Sequence, residues 1–353
     1  MSLLFTPTRL GRIDIANRVI MAPMTRSRAT DDGMVRPITA TYYAQRAGAG
    51  LIVTEGVFPE ARGKGYVRTP GLATEAQTEA WKAVTGAVHA KGGKIVAQLM
   101  HSGRISHPSL QPDGGLPVAP SAIRPKGRAW TAEGRKDFVT PRALGLDEIE
   151  GVVQGYRDAT RRALAAGFDG VELHGASGYL PEQFLSSGAN ARTDAYGGSI
   201  ANRARFLLEV LNAMIAEAGP GRVGLKLSPE MGFNDIHDAT PVDTYTHIVD
   251  RLDGARMAYL HVTATGESET DYHALLRPRF DGAYLIGGGL TKEAAEALLA
   301  GGEAEAAVFG SFFLSNPDLV DRFRLDAPLN EADREALYSS GPEGYTDHPT
   351  LND

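Results

Sequence analysis

Short apolar runs separated by segments of helical period dominate this chain. Runs at 18–23, 51–56, 94–99, 168–173, 222–227, 257–262, 283–286 and 306–309 have the length and composition of buried strands. Between them, apolar positions recur at helical spacing over 35–47, 75–89, 147–166, about 200–217, 241–252 and 292–299. Strands alternating with helices in this number predict an α/β fold, a closed (β/α)8 TIM barrel. Residues 1–353 are read as one domain. An open doubly wound sheet is the rival architecture, but residues 17–24, after which its phosphate loop would lie, carry no glycine.

Two features decorate the alternation. The turn Leu10-Gly11-Arg12 joins two short apolar segments and predicts an N-terminal hairpin that plugs one end of the barrel. A stretch at about 101–145 is rich in Pro, Gly and polar residues and shows no helical period. Long irregular connections are usually functional or disordered. Following the third strand, this one is read as a cap with a small hairpin on the catalytic face, the alternative being a flexible surface insert.

Composition narrows the function. The 353 residues are 42% hydrophobic and 22% charged, with a formal net charge of -7 and no basic block. Nucleic acid and anionic membrane surfaces are therefore not expected partners. The absence of cysteine excludes disulfides, thiolate metal sites and thiol nucleophiles. No apolar run approaches membrane-spanning length, and the N-terminus lacks the pattern of a secretion signal, so a cytoplasmic protein is expected. A monomer or homodimer acting on a small molecule fits these bounds.

In a barrel the active site is built at the C-terminal ends of the strands. There the fourth strand leads into His174, Ser177 and Tyr179. If the segment turns, a histidine and a hydroxyl can hold a substrate oxygen while the phenol delivers a proton. The ends of other strands contribute Pro23, Met24 and Thr25, then Gly56, Gln98, Met100, Lys226, Gly287, Gly288, Gly289, Gly310 and Ser311. Glycines after the last two strands suit a phosphate, because bare backbone N–H groups approach an anion closely. A tight turn accounts for the three glycines equally well. Thr25 and Gln98 offer a hydroxyl and an amide to a flat heterocycle, and Lys226 a positive charge. A large planar phosphorylated cofactor fits this set. Metal binding is not expected, because His and carboxylate residues do not cluster at ligand spacing.

These residues sit in motifs that resemble the old yellow enzyme family of FMN-dependent ene-reductases over nearly the full length. The motifs are Asn17-Arg18-Val19-Ile20-Met21-Ala22-Pro23-Met24-Thr25-Arg26, Lys64-Gly65-Tyr66 and Gln98-Leu99-Met100-His101-Ser102-Gly103-Arg104. Further along come His174-Gly175-Ala176-Ser177-Gly178-Tyr179, Asn316-Pro317-Asp318-Leu319 and Glu343-Gly344-Tyr345-Thr346-Asp347. The resemblance implies FMN, reduced by NADPH or NADH, passing hydride to the β-carbon of an α,β-unsaturated carbonyl compound. It implies that His174 and Ser177 hold the carbonyl oxygen and that Tyr179 protonates the α-carbon. It further implies that Thr25 and Gln98 hold the flavin, and that Tyr66, Met100 and Tyr345 line the substrate pocket. The chain departs from the family pattern at four of these positions. The family has His or Asn at 177, usually Trp at 100, and Arg at both 226 and 311. Two alternatives remain at this point. One is the same barrel, with weak or no flavin, acting as an isomerase, cyclase or lyase in a specialised biosynthetic pathway; the other is a non-catalytic binding barrel. Lys292 is a candidate to supply the phosphate with a charge in place of an arginine at 311.

Overall fold

The computed structural model describes residues 2–264 and 268–353. Eight parallel strands close into a barrel in sequence order. They are β1 (Val19–Met21), β2 (Leu51–Val57), β3 (Ile95–Leu99), β4 (Gly170–His174), β5 (Val223–Leu227), β6 (Tyr259–Thr263), β7 (Tyr284–Gly287) and β8 (Ala306–Phe309). The ring closes where β8 pairs with β1, Val308 opposite Ile20. The expected (β/α)8 class is the observed one. β1 stops short of the expected 18–23 because Pro23 has no N–H for the ladder. β4 runs one residue past the expected end, so His174 is its last member.

Helices cover the outside of the ring. Glu75–His89 has the expected bounds and begins with a capping box, Thr74 bonded to the Gln77 N–H and Gln77 reaching back. Ile200–Ala218 starts on the Ser199 side chain and ends at Gly219, whose φ of 79° only glycine adopts freely. Tyr272–Leu276, Leu180–Leu185, Ser311–Ser315 and Leu319–Leu325 are helices that the apolar pattern did not indicate.

The plug is the antiparallel hairpin Thr8–Leu10 with Ile13–Ile15. Leu10, Ile13 and Ile15 pack against Ile20, Val53, Val96, Leu285 and Val308, which fill the barrel from inside. At the other end, the segment between β3 and the helix Leu146–Ala165 carries two small pairings. Val118–Ala119 runs parallel to Arg142–Ala143, and Arg128–Thr131 forms an antiparallel hairpin with Gly134–Asp137. No helix among the described residues is long and apolar enough to cross a membrane.

Candidate active site

Alternate side chains of a barrel strand point inward. Near the plug these are apolar; towards the C-terminal ends they become polar. Val96 is followed two residues on by Gln98, Gly170 by Glu172, Gly224 by Lys226, and Tyr259 by His261. The Gln98 amide Nε2 donates to Glu172 Oε1 at 2.7 Å, and His261 Nδ1 lies 3.2 Å from Glu172 Oε2. Thr263 Oγ1 is 3.2 Å from His261 Nε2. Burial alone pushes the Glu172 carboxyl up, but the bond from His261, the charge of Lys226 and the Gln98 amide outweigh it. The group is held below its ordinary value as a carboxylate. Burial lowers Lys226, and Glu172 opposes that shift. An unpaired buried charge is costly, so each of these two ions supports the other.

Above this layer stands His174. It is buried, and its Nδ1 has no hydrogen-bond partner among the described residues. Burial, then the nearby Lys226 and His261, push it well below the usual histidine value, so the ring is neutral. Tyr179 meets it edge to face at 4.9 Å, and its hydroxyl lies 2.9 Å from that of Tyr66. Burial and the Tyr66 phenol push Tyr179 well above its ordinary value, so it keeps its proton. A cavity of about 470 Å³ opens here, lined by Thr25, Tyr66, Trp130, Tyr179, Phe233 and Tyr338 among others.

Ser177 sits between the two rings in sequence but is turned differently. Its φ of 56° is left-handed, and its hydroxyl donates to Met231 Sδ at 3.7 Å. The expected convergence of three side chains is thus a convergence of two, with the Ser177 hydroxyl engaged by the loop after β5.

Around the mouth the strand ends are incompletely covered. Pro23, Met24, Thr25, Lys226 and Gly310 are half-buried, and Gly288, Gly289 and Ser311 are exposed. Gly288 has φ 124°, and a Cβ there would lie 2.3 Å from the Ala264 carbonyl oxygen, so only glycine fits. Gly289 faces open space. Gly287 ends β7 over His261 and Thr263. Gly56 is covered differently: its bare face is filled by Met100, whose Cε and Sδ would lie 2.6 Å from a Cβ. A register irregularity between Val53 and Gly56 accompanies this packing. Met100 in turn packs with Ile105, Ala129, Phe138 and Tyr179.

Two expectations are corrected. Tyr345 does not line the cavity. It is fully buried, stacked on Tyr42 at 4.0 Å, with the Arg28 guanidinium 4.6 Å from its ring centroid. Tyr338 takes the position at the cavity. Lys292 Nζ pairs with Asp326 instead of standing free beside Ser311. Glu172, His261, Phe233 and Tyr338 were not singled out from the sequence. For the first two the signal was present, as the period-two continuation of β4 and β6 into polar residues.

The model of the NADH:flavin oxidoreductase / NADH oxidase family matches residues 3–330. Among curated relatives, 12-oxophytodienoate reductase 7 of Oryza sativa subsp. japonica is 41% identical over 99% of this chain and 94% of its own. 12-Oxophytodienoate reductase 2 of Arabidopsis thaliana is 40% identical over 99% and 96%. Among solved structures, morphinone reductase in complex with tetrahydroNAD superposes with a TM-score of 0.94 at 46% identity, covering 99% of this chain and 97% of that one. The old yellow enzyme homologue from Zymomonas mobilis gives 0.95 at 40% identity, covering 99% of each.

Proposed function

The chain belongs to the NADH:flavin oxidoreductase / NADH oxidase family, the old yellow enzyme family, and on that premise we propose that it reduces the C=C bond of an α,β-unsaturated carbonyl compound with FMN and NAD(P)H. The whole chain then acts as one barrel, with about 101–145 as its cap.

The residues at the mouth fit FMN. The half-buried Thr25 hydroxyl, the Gln98 amide and the Lys226 ammonium form a donor set for the polar edge of a flat heterocycle. Pro23 and Met24 give that ring an apolar neighbour, and the open, exposed backbone at Gly289 leaves room for a phosphate beside Gly288 and Gly310. FMN, when bound, supplies hydride taken from NAD(P)H. The Gln98–Glu172–His261 chain fixes the amide that faces the heterocycle. Burial lowers Lys226 and Glu172 opposes that shift; its ammonium form would stabilise negative charge on a ring.

At the substrate, the neutral His174 ring hydrogen-bonds the carbonyl oxygen and stabilises the charge that develops there. Tyr179 gives its phenolic proton to the α-carbon. Tyr66, Phe233 and Tyr338 bound the substrate volume and exclude water. The observation that carries this reading is a buried imidazole, one nitrogen without a partner among the described residues, meeting edge to face a buried, protonated phenol that lines the cavity.

The test is anaerobic stopped-flow absorbance on the FMN-loaded protein. NADPH or NADH should bleach it, and an unsaturated ketone should restore the colour and yield the saturated ketone. Tyr179→Phe should bleach as fast, yet recover on the order of 10²- to 10⁴-fold more slowly with the ketone. Protein that takes up no FMN, or turns a carbonyl substrate over without NAD(P)H, would return the choice to the isomerase, cyclase or lyase alternative.

A further inference from the structure

We propose that Asn234, on the loop after β5, is a positioning residue that holds the proton donor Tyr179 and stabilises its phenolate; the inference rests on the reductase reading of the same site.

The loop grips the catalytic turn by every polar group of Ser177. The Ser177 N–H donates to Ser228 Oγ at 2.8 Å. Its hydroxyl donates to Met231 Sδ at 3.7 Å, and its carbonyl oxygen accepts from Asn234 Nδ2 at 2.8 Å. This grip has a reason. Ser177 and Gly178 are both left-handed, with φ of 56° and 75°. A non-glycine residue persists there only when its surroundings over-determine it. Ser177 and Gly178 together turn the chain so that Tyr179 faces His174.

The two segments interlock. A Cβ on Gly178 would lie 2.7 Å from Asn234 Cβ and 2.8 Å from the Phe233 carbonyl oxygen, so the loop occupies the space that only glycine leaves free. Asn234 is itself left-handed, φ 60°, a conformation that Asn and Asp adopt more readily than other side chains.

The Asn234 amide has a second N–H. It lies near enough to the phenols of Tyr66 and Tyr179 to offset part of the upward push that burial gives each. When Tyr179 protonates the α-carbon, its O–H bond breaks, the enolate electron pair takes the proton to form the C–H bond, and a buried phenolate remains until water returns a proton. That phenolate then accepts from the Tyr66 hydroxyl, 2.9 Å away, and from Asn234. With the Ser177 hydroxyl engaged by Met231, Asn234 is the amide donor that the loop brings to the acid.

Asn234→Asp keeps the size and the left-handed tolerance and removes both N–H donors. In stopped flow, bleaching by NADPH should change less than about threefold, while recovery with an unsaturated ketone should slow by roughly 10- to 100-fold. Recovery with dioxygen, which needs no carbon protonation, should not change. In the Tyr179→Phe background the same substitution should add no further loss. On protein carrying 13Cζ-tyrosine, the Tyr66 and Tyr179 resonances should shift in Asn234→Asp and that of Tyr345 should not. Equal slowing of all three reactions, additivity with Tyr179→Phe, or unmoved Tyr66 and Tyr179 resonances would overturn the inference. Wild-type protein that NADPH does not bleach would instead overturn the reductase reading, and this inference with it.

Discussion

Tyr338 and Tyr345 lie on the same irregular C-terminal stretch, yet opposite environments claim them. Arg26 and Arg28 donate to carbonyl oxygens at Gly344, Leu337, Ala336 and Glu343, drawing the stretch onto the barrel and pulling Tyr345 inward against Tyr42. Tyr338 stays 56% exposed at the cavity. Tyr338→Ala should raise KM for an unsaturated ketone several-fold while leaving bleaching by NADPH unchanged. Tyr345→Phe should leave KM as it is. Its melting temperature should hold or rise, because the buried Tyr345 hydroxyl has no partner among the described residues and such a group costs about 1–3 kcal/mol. A raised KM in Tyr345→Phe would put that ring back at the substrate. Local sequence does not distinguish these tyrosines, since the deciding arginines are about 300 residues away in the chain. His174 and Tyr179 were legible because a strand end fixes where they emerge. Ser177 was not, because a left-handed backbone turns its hydroxyl to Met231.

At the scale of elements, the short helix Leu180–Leu185 supports the catalytic turn through one carboxylate. Glu182 Oε2 accepts the Gly178 N–H, and Oε1 accepts the Tyr245 hydroxyl. Burial raises Glu182 to about 7, against the pull of these two donors. An unfolded glutamate titrates near ~4.3. Between those values the folded state binds more protons than the unfolded one, so this group's contribution to stability falls as pH rises through 7. The loss approaches about 4 kcal/mol above that pH. Glu182→Gln should therefore gain stability relative to wild type as pH goes from 5 to 8, read by denaturant melts at both ends. Parallel curves for the two proteins would contradict the shift. The same burial explains what the sequence concealed here. Leu180–Leu185 and Tyr272–Leu276 are under two turns, too short for a 3.6-residue period to register. The pairing of Val118–Ala119 with Arg142–Ala143 joins strands 24 residues apart and leaves no local signature. The barrel strands were legible because each is a short apolar run buried on both faces, as parallel sheets require.

At the scale of the whole molecule, closing the ring brings Gln98, Lys226, Gly288 and Gly310 from four strands to one mouth. A cofactor held by all of them binds the folded chain and not the unfolded one, so it stabilises the barrel by mass action, about 2.7 kcal/mol at a hundred times Kd. On the proposed reading, Ser311 is where that grip is weakest. It is exposed, it follows Gly310 at the end of β8, and the nearby Lys292 is committed to Asp326. Ser311→Arg should add a charge-assisted, forked contact to a phosphate. Such a bond contributes roughly 1.5–3 kcal/mol, or about ten- to 150-fold in affinity. FMN titration by fluorescence quenching should show that gain, and the FMN-induced rise in melting temperature should grow with it at fixed FMN. Lys292→Ala should leave Kd unchanged, because its ammonium already has a partner across the surface. A weaker Kd in Lys292→Ala would mean that the lysine leaves Asp326 to meet the phosphate, and the gain from Ser311→Arg would then be small. Unchanged Kd in both variants would remove the phosphate from the Gly310–Ser311 end of the mouth altogether.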